Sequence, residues 1–172
     1  MPVRTPETSR VLRHLSDRLS KSIEAVTGPN PFLCEHASLT SYPGAGIQNQ
    51  HPDINSGKAV SVVVYLDGVA DNATAPLEVW PGSHLIDNRP TSITPVKLAP
   101  LEPGAVVIYD SRLWHRGTAN DSPRARTTYW FTYCSADYKI DNTEKRLPEL
   151  EDQRGMGRVR LSDVVDGSVE DE

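Results

Sequence analysis

Val60-Ser61-Val62-Val63-Val64-Tyr65-Leu66 is the stretch that decides the fold class. It is rich in β-branched residues and too continuously apolar for a strand with one wet face, so it reads as a strand covered on both sides. Segments of the same kind recur around it. Candidate strands fall at roughly 33–41, 46–52, 59–66, 76–80, 92–98, 105–109, 112–118 and 126–134. The gaps carry turn chemistry in Tyr42-Pro43-Gly44, Asp67-Gly68, Pro81-Gly82-Ser83 and Glu102-Pro103-Gly104. Upstream, Val11, Leu12, Leu15, Leu19, Ile23 and Val26 recur mostly at spacings of three and four, the apolar face of one helix. Thr8 or Ser9 would cap that helix and Gly28-Pro29 would end it. One helix followed by about eight short strands predicts a mainly β protein, a barrel or a double-sheet jelly roll.

A chain of 172 residues suits one domain with a substantial core. The expected organisation is an N-terminal helix over 1–30 that supports the barrel, a β domain over 31–139, and an acidic, loosely ordered tail over 140–172. A short helix is expected near 144–152 within that tail. The net charge of −5 and pI near 5.5 argue against a nucleic-acid partner or an anionic membrane. There is no apolar run long enough to span a bilayer. Cys34 and Cys134 give no disulfide framework, so a reducing compartment is the default and a cytoplasmic protein is expected.

The chemistry concentrates in His51-Pro52-Asp53. Side chains two apart on an extended segment project to the same side, so His51 and Asp53 can hold one metal ion with Pro52 turned away. His115, on a distant candidate strand, supplies a second imidazole. Two histidines and one carboxylate make a facial triad that holds iron(II) and leaves its other positions open. An H-x-D tripeptide also arises by chance, so its surroundings matter. Arg126 shares its strand parity with Thr128 and Trp130. An arginine pointing into a barrel needs an anion, either a ligand or a structural Asp or Glu. Arg124 has the same parity nearer the turn. Asn120 either orients a ligand or shapes the turn. His84, in a Pro-Gly-Ser-His turn, reads as a structural corner.

Several segments together resemble the phytanoyl-CoA dioxygenase family: Gln50-His51-Pro52-Asp53, Tyr65-Leu66-Asp67-Gly68-Val69, Pro76-Leu77-Glu78-Val79-Trp80-Pro81-Gly82-Ser83-His84, Pro103-Gly104-Ala105-Val106-Val107-Ile108-Tyr109-Asp110 and His115-Arg116-Gly117-Thr118-Ala119-Asn120. The likeness covers about residues 38–135 and keeps family order. It implies a double-stranded β-helix, a jelly-roll or cupin-like barrel, that uses iron(II) and 2-oxoglutarate with oxygen to hydroxylate a small molecule. In that family an arginine eleven residues after the second histidine pairs with the far carboxylate of 2-oxoglutarate, and Arg126 stands at that spacing. Thr118 takes the place of a family serine two residues after the histidine, which here is Gly117. Tyr42 and Gln48 would line the cosubstrate pocket, with Asn120 as a further contact. Prolyl 4-hydroxylases are similar in carrying a tyrosine nine residues before the H-x-D motif, where Tyr42 stands, but place a lysine in the role of Arg126. A prolyl-4-hydroxylase-like protein hydroxylase, a cupin-like metalloenzyme of another reaction type, and an inactive barrel serving as a binding module remain the alternatives.

Overall fold

The computed structural model describes residues 6–139 and 159–167. Helix α1, Pro6–Thr27, begins on a proline, whose fixed φ suits the first turn. It starts upstream of Thr8 and Ser9, so neither is its cap. Gly28, at φ +82°, ends it as expected and donates its N–H to Glu24 O at 2.9 Å.

Among the described residues seven strands follow: β1 Phe32–Ser41, β2 Ala59–Tyr65, β3 Leu77–Val79, β4 Val96–Lys97, β5 Ala105–Asp110, β6 His115–Gly117 and β7 Arg126–Cys134. They form two antiparallel sheets, in the orders β1-β7-β2-β5 and β4-β3-β6. The valine-rich stretch is central, paired with β7 on one side and β5 on the other. Its two faces differ. Val60, Val62 and Val64 align with Tyr133, Phe131 and Tyr129 in a core closed by Ile23, Leu15 and Leu19 of α1. Ser16 of α1 is hydrogen-bonded to the Tyr133 hydroxyl at 2.9 Å. The opposite face carries Ser61 beside Tyr109 and Thr132, and Tyr65 beside Thr128. That polar inner face is where a ligand site can form.

Three expectations change. Residues 46–52 do not form a strand; their pairing reduces to a bridge between His51 and His115 and a Gln48 N–H to Gly117 O hydrogen bond of 3.0 Å. Gly44, Gly46 and the polar Gln48-Asn49-Gln50 lack β formers, and Pro52 has no N–H to give. Candidate strand 92–98 shrinks to β4, because Pro95 and its neighbours Pro90 and Pro100 starve a ladder of donors. Cys34 and Cys134 are joined in a disulfide across β1 and β7, with Cα atoms 6.0 Å apart. The cysteine count therefore no longer argues for a reducing compartment.

The tail also returns to the fold. Leu33 N–H donates to Val159 O at 2.8 Å, and Leu161 N–H to Pro31 O at 2.9 Å. Helix α2, Leu161–Asp166, buries Leu161 and Val164, and Leu161 joins the core beside Ile23. Residues 159–167 are thus packed rather than loose, while the expected helix near 144–152 lies outside the described residues. Among the described residues no helix is long and apolar enough to cross a membrane.

Candidate metal centre

Backbone pairing assembles the site. His51 and His115 exchange both N–H···O bonds, at 3.0 and 2.9 Å, as in a hydrogen-bonded antiparallel pair. Their rings lie 4.7 Å apart. Asp53 N–H donates to Ser111 O at 2.9 Å, which seats the carboxylate beside them. One ligand atom from each of His51, Asp53 and His115 lies within 4.8 Å of the other two.

The donor set fits a divalent transition metal. His51 Nδ1 lies 2.7 Å from Asn49 O, and His115 Nδ1 lies 2.9 Å from Leu113 O. A carbonyl can only accept, so each Nδ1 carries the hydrogen and each neutral ring keeps the Nε2 lone pair for a ligand. Asp53 Oδ2 accepts from Ser61 Oγ at 2.7 Å and from the Tyr109 hydroxyl at 3.2 Å. Asp53 Oδ1 lies 3.4 Å from His115 Nε2. Burial pushes the Asp53 carboxyl up, but hydrogen bonding and charge from His115 outweigh it and hold it below its usual value. Burial likewise pushes His115 down, and Asp53 more than reverses that. Burial and the neighbouring Asp53 keep Tyr109 protonated and able to donate. Two nitrogens and one oxygen without a thiolate suit iron(II) better than structural zinc, which takes four protein ligands. Both cysteines are spent in the disulfide.

Arg126 opens β7 at 5% exposure. Its Nη1 donates to Thr128 Oγ1 at 3.3 Å, and its guanidinium lies 5.7 Å from the Tyr65 ring centroid. Its Nε is buried with no hydrogen-bond partner. Among the described residues no carboxylate is within ion-pair distance, so the structural ion pair is not what Arg126 makes. Burial lowers its pKa, against the opposing pull of Tyr65 and Asp67. A buried cation with a free donor is a seat for an anion. Arg124, by contrast, is exposed.

The other candidates are placed differently. Asn120 is fully buried and donates to Ser41 O and Arg124 O at 2.7 and 2.9 Å. Its Oδ1 accepts from both Ser122 N and Ser122 Oγ, so the turn uses the whole amide and nothing is left for a cosubstrate. The Thr118 hydroxyl donates to Pro76 O at 2.9 Å. Gln48 Oε1 accepts from Gly117 N at 2.7 Å, clamping its segment to β6. Tyr42 is 67% exposed. His84 lies in a 3₁₀ turn, Ser83–Leu85, whose buried Ser83 Oγ accepts from Trp114 N at 2.9 Å; this is the expected corner. Ser61, Tyr109 and Ser111 were not legible as site residues. The one hint is the hydroxyl of Ser61 interrupting a run of valines.

A mainly β fold of two antiparallel sheets with an N-terminal helix is cupin-like, and here it brings together two imidazoles and a carboxylate that could hold a metal ion. The family model described as phytanoyl-CoA dioxygenase matches residues 8–128, and the chain belongs to that family. Solved structures agree in fold. The carbocyclase SnoK from nogalamycin biosynthesis, described as non-heme and alpha-ketoglutarate dependent, is 20% identical at a TM-score of 0.65, over 77% of this chain and 60% of its own. The epimerase SnoN, in complex with Fe3+, alpha-ketoglutarate and nogalamycin RO, is 20% identical at 0.68, over 90% and 69%. HygX from Streptomyces hygroscopicus, with nickel and 2-oxoglutarate bound, is 15% identical at 0.62, over 81% and 71%. The chain thus spans about 60–70% of the length of these proteins.

Proposed function

We propose that this protein is an iron(II)- and 2-oxoglutarate-dependent oxygenase on a double-stranded β-helix, hydroxylating a small molecule. The observation that carries the reading is the pairing of two things in one fold. One is the His51, Asp53, His115 cluster, and the other is a buried Arg126 with an unpartnered Nε and no carboxylate beside it among the described residues. Metal-bearing neighbours of the same fold support it, since SnoN and HygX hold a metal together with alpha-ketoglutarate or 2-oxoglutarate.

His51 Nε2, His115 Nε2 and Asp53 Oδ1 would hold the ion. When bound, iron(II) and 2-oxoglutarate would supply the oxidation, in which 2-oxoglutarate, oxygen and a substrate C–H give succinate, carbon dioxide and the hydroxylated substrate, one oxygen atom going to each organic product. The chain's own residues set geometry around that chemistry. Asn49 O and Leu113 O fix the two ring orientations. Arg126 would take the far carboxylate of the cosubstrate with its planar fork, its guanidinium carbon 5.7 Å over the Tyr65 ring centroid. The prolyl-4-hydroxylase-like alternative leans on Tyr42, whose exposure gives it no support.

The test of the cosubstrate seat is 2-oxoglutarate affinity in nickel(II)-loaded protein, measured by calorimetry. Truncating one partner of a buried charge pair costs on the order of 2–5 kcal/mol. Arg126→Ala should therefore weaken 2-oxoglutarate roughly 30- to several-thousand-fold. Arg126→Lys should recover only part, since a point charge cannot reproduce the fork. Arg124→Ala should do little. If Arg124→Ala proves the more damaging, or if neither variant changes the affinity, the assignment fails.

A further inference from the structure

The two oxygens of Asp53 are unlike. Oδ2 accepts from Ser61 Oγ at 2.7 Å and from the Tyr109 hydroxyl at 3.2 Å, while Oδ1 faces His115 Nε2 at 3.4 Å. The support for Oδ2 runs deeper. With its hydrogen given to Asp53, Ser61 Oγ must itself accept, from Ser111 Oγ at 2.8 Å or Thr132 Oγ1 at 3.3 Å. Ser111 is fully buried, and its carbonyl also takes the backbone N–H of Asp53 at 2.9 Å. Ser111 thus holds the aspartate's backbone directly and stands one hydroxyl behind its side chain, beside Ser61.

We propose that Ser61 and Tyr109 are positioning residues that commit Oδ2 to hydrogen bonds and leave Oδ1 as the only oxygen Asp53 offers a metal. The proposal rests on the metal centre described above and says what keeps it open. An octahedral ion has six positions. Two histidines and one carboxylate oxygen, with a 2-oxo acid chelating through two atoms, leave one position free. If the carboxylate bound through both oxygens, that position would be gone. Turning Oδ2 toward the metal would strip two hydroxyls of their acceptor in a buried site, which is costly.

The test uses Ser61→Ala, Tyr109→Phe and the double variant, each loaded with cobalt(II) without oxygen. Two quantities are read: cobalt(II) affinity by calorimetry, and the visible cobalt(II) spectrum as azide is added to the 2-oxoglutarate complex. Azide occupies one position and reports whether it is free. The wild type should take up azide. The double variant should lose about 10- to 100-fold in metal affinity and fail to take up azide. Tyr109→Phe alone keeps its ring beside His115, now 5.2 Å away, and should shift both readouts the same way to a smaller extent. Wild-type affinity and azide uptake in the variants overturn the proposal. So does a fall in affinity with azide uptake intact, because the hydroxyls would then stabilise the site without setting its open position. A wild type that binds no cobalt(II) overturns the metal centre itself, a different result from indifferent variants of a protein that binds it.

Discussion

Asn120 sits four residues before Arg124 and six before Arg126, close to the cosubstrate seat in sequence, yet its amide is spent on the turn. Asn120→Ala would take the side-chain donor from the Ser41 carbonyl and one of two donors from the Arg124 carbonyl, which keeps Ser122 Oγ at 3.1 Å. With one acceptor losing its side-chain donor, the loss should be about 1–3 kcal/mol of folding stability. Denaturant unfolding checks this, and 2-oxoglutarate affinity in the folded variant should stay near wild type. The triad residues make the opposite case. In metal-free protein His115 is raised above its ordinary 6.5 and Asp53 lowered below its ordinary 3.8. The histidine's contribution is complete below 6.5 and fades as pH rises through its raised value; the aspartate's is complete above 3.8 and fades as pH falls through its lowered one. The pair thus favours the fold most between those limits. A metal needs His115 neutral, so nickel(II) affinity should climb with pH through the His115 titration, with proton release on binding. A flat pH profile across that range would show that His115 is not a ligand. The clustering of His51, Asp53 and His115 is legible in the sequence because metal-ligand chemistry restricts candidates to a few residue types at fixed spacing. Ser61 and Tyr109 are not, because a hydroxyl on a strand becomes a metal-site residue only through register, here Ser61 opposite Tyr109 and Thr132.

Element by element, the long strands were read closely and the short ones were not. β2 and β7 are specified by runs of valine and aromatic residues that bury both faces, and the structure places them at 59–65 and 126–134. The segment before His51 reads as a strand but is none, because the His-x-Asp parity needs only an extended chain, which a single bridge to His115 supplies. Helix α2 was missed because six residues carry too little periodicity to stand out from an acidic tail. Its cap is nonetheless specific, with Arg160 N–H donating to Asp163 Oδ2 at 2.8 Å and Gly167 closing it at φ +72°. Truncating the chain before Val159 would remove Leu161 and Val164, each buried and worth roughly 1.5–3 kcal/mol. A loss of about 3–6 kcal/mol is expected, read as a lower melting temperature. An unchanged melting temperature would mean that α2 does not support the core.

At the scale of the whole molecule, two long-range links tie the sequence together: the tail on α1 and the disulfide between Cys34 and Cys134, 100 residues apart. Cysteine spacing alone could not show the second, because only the register of β1 on β7 brings the two side chains together. Thiol titration of denatured protein prepared without reductant should find no free cysteine, and reduction should cost on the order of 2–4 kcal/mol of stability. Two titratable thiols before reduction would contradict the pairing. The sheets and the helix packed against them set the polar inner face on which the proposed metal and cosubstrate seats, His51-Asp53-His115 and Arg126, would lie. The most direct measurement is succinate release from 2-oxoglutarate in air. Wild-type protein should form succinate only when iron(II) and 2-oxoglutarate are both present, and folded Asp53→Ala should form none. Equal succinate formation by wild type and Asp53→Ala, or none from wild type supplied with both, would contradict the assignment.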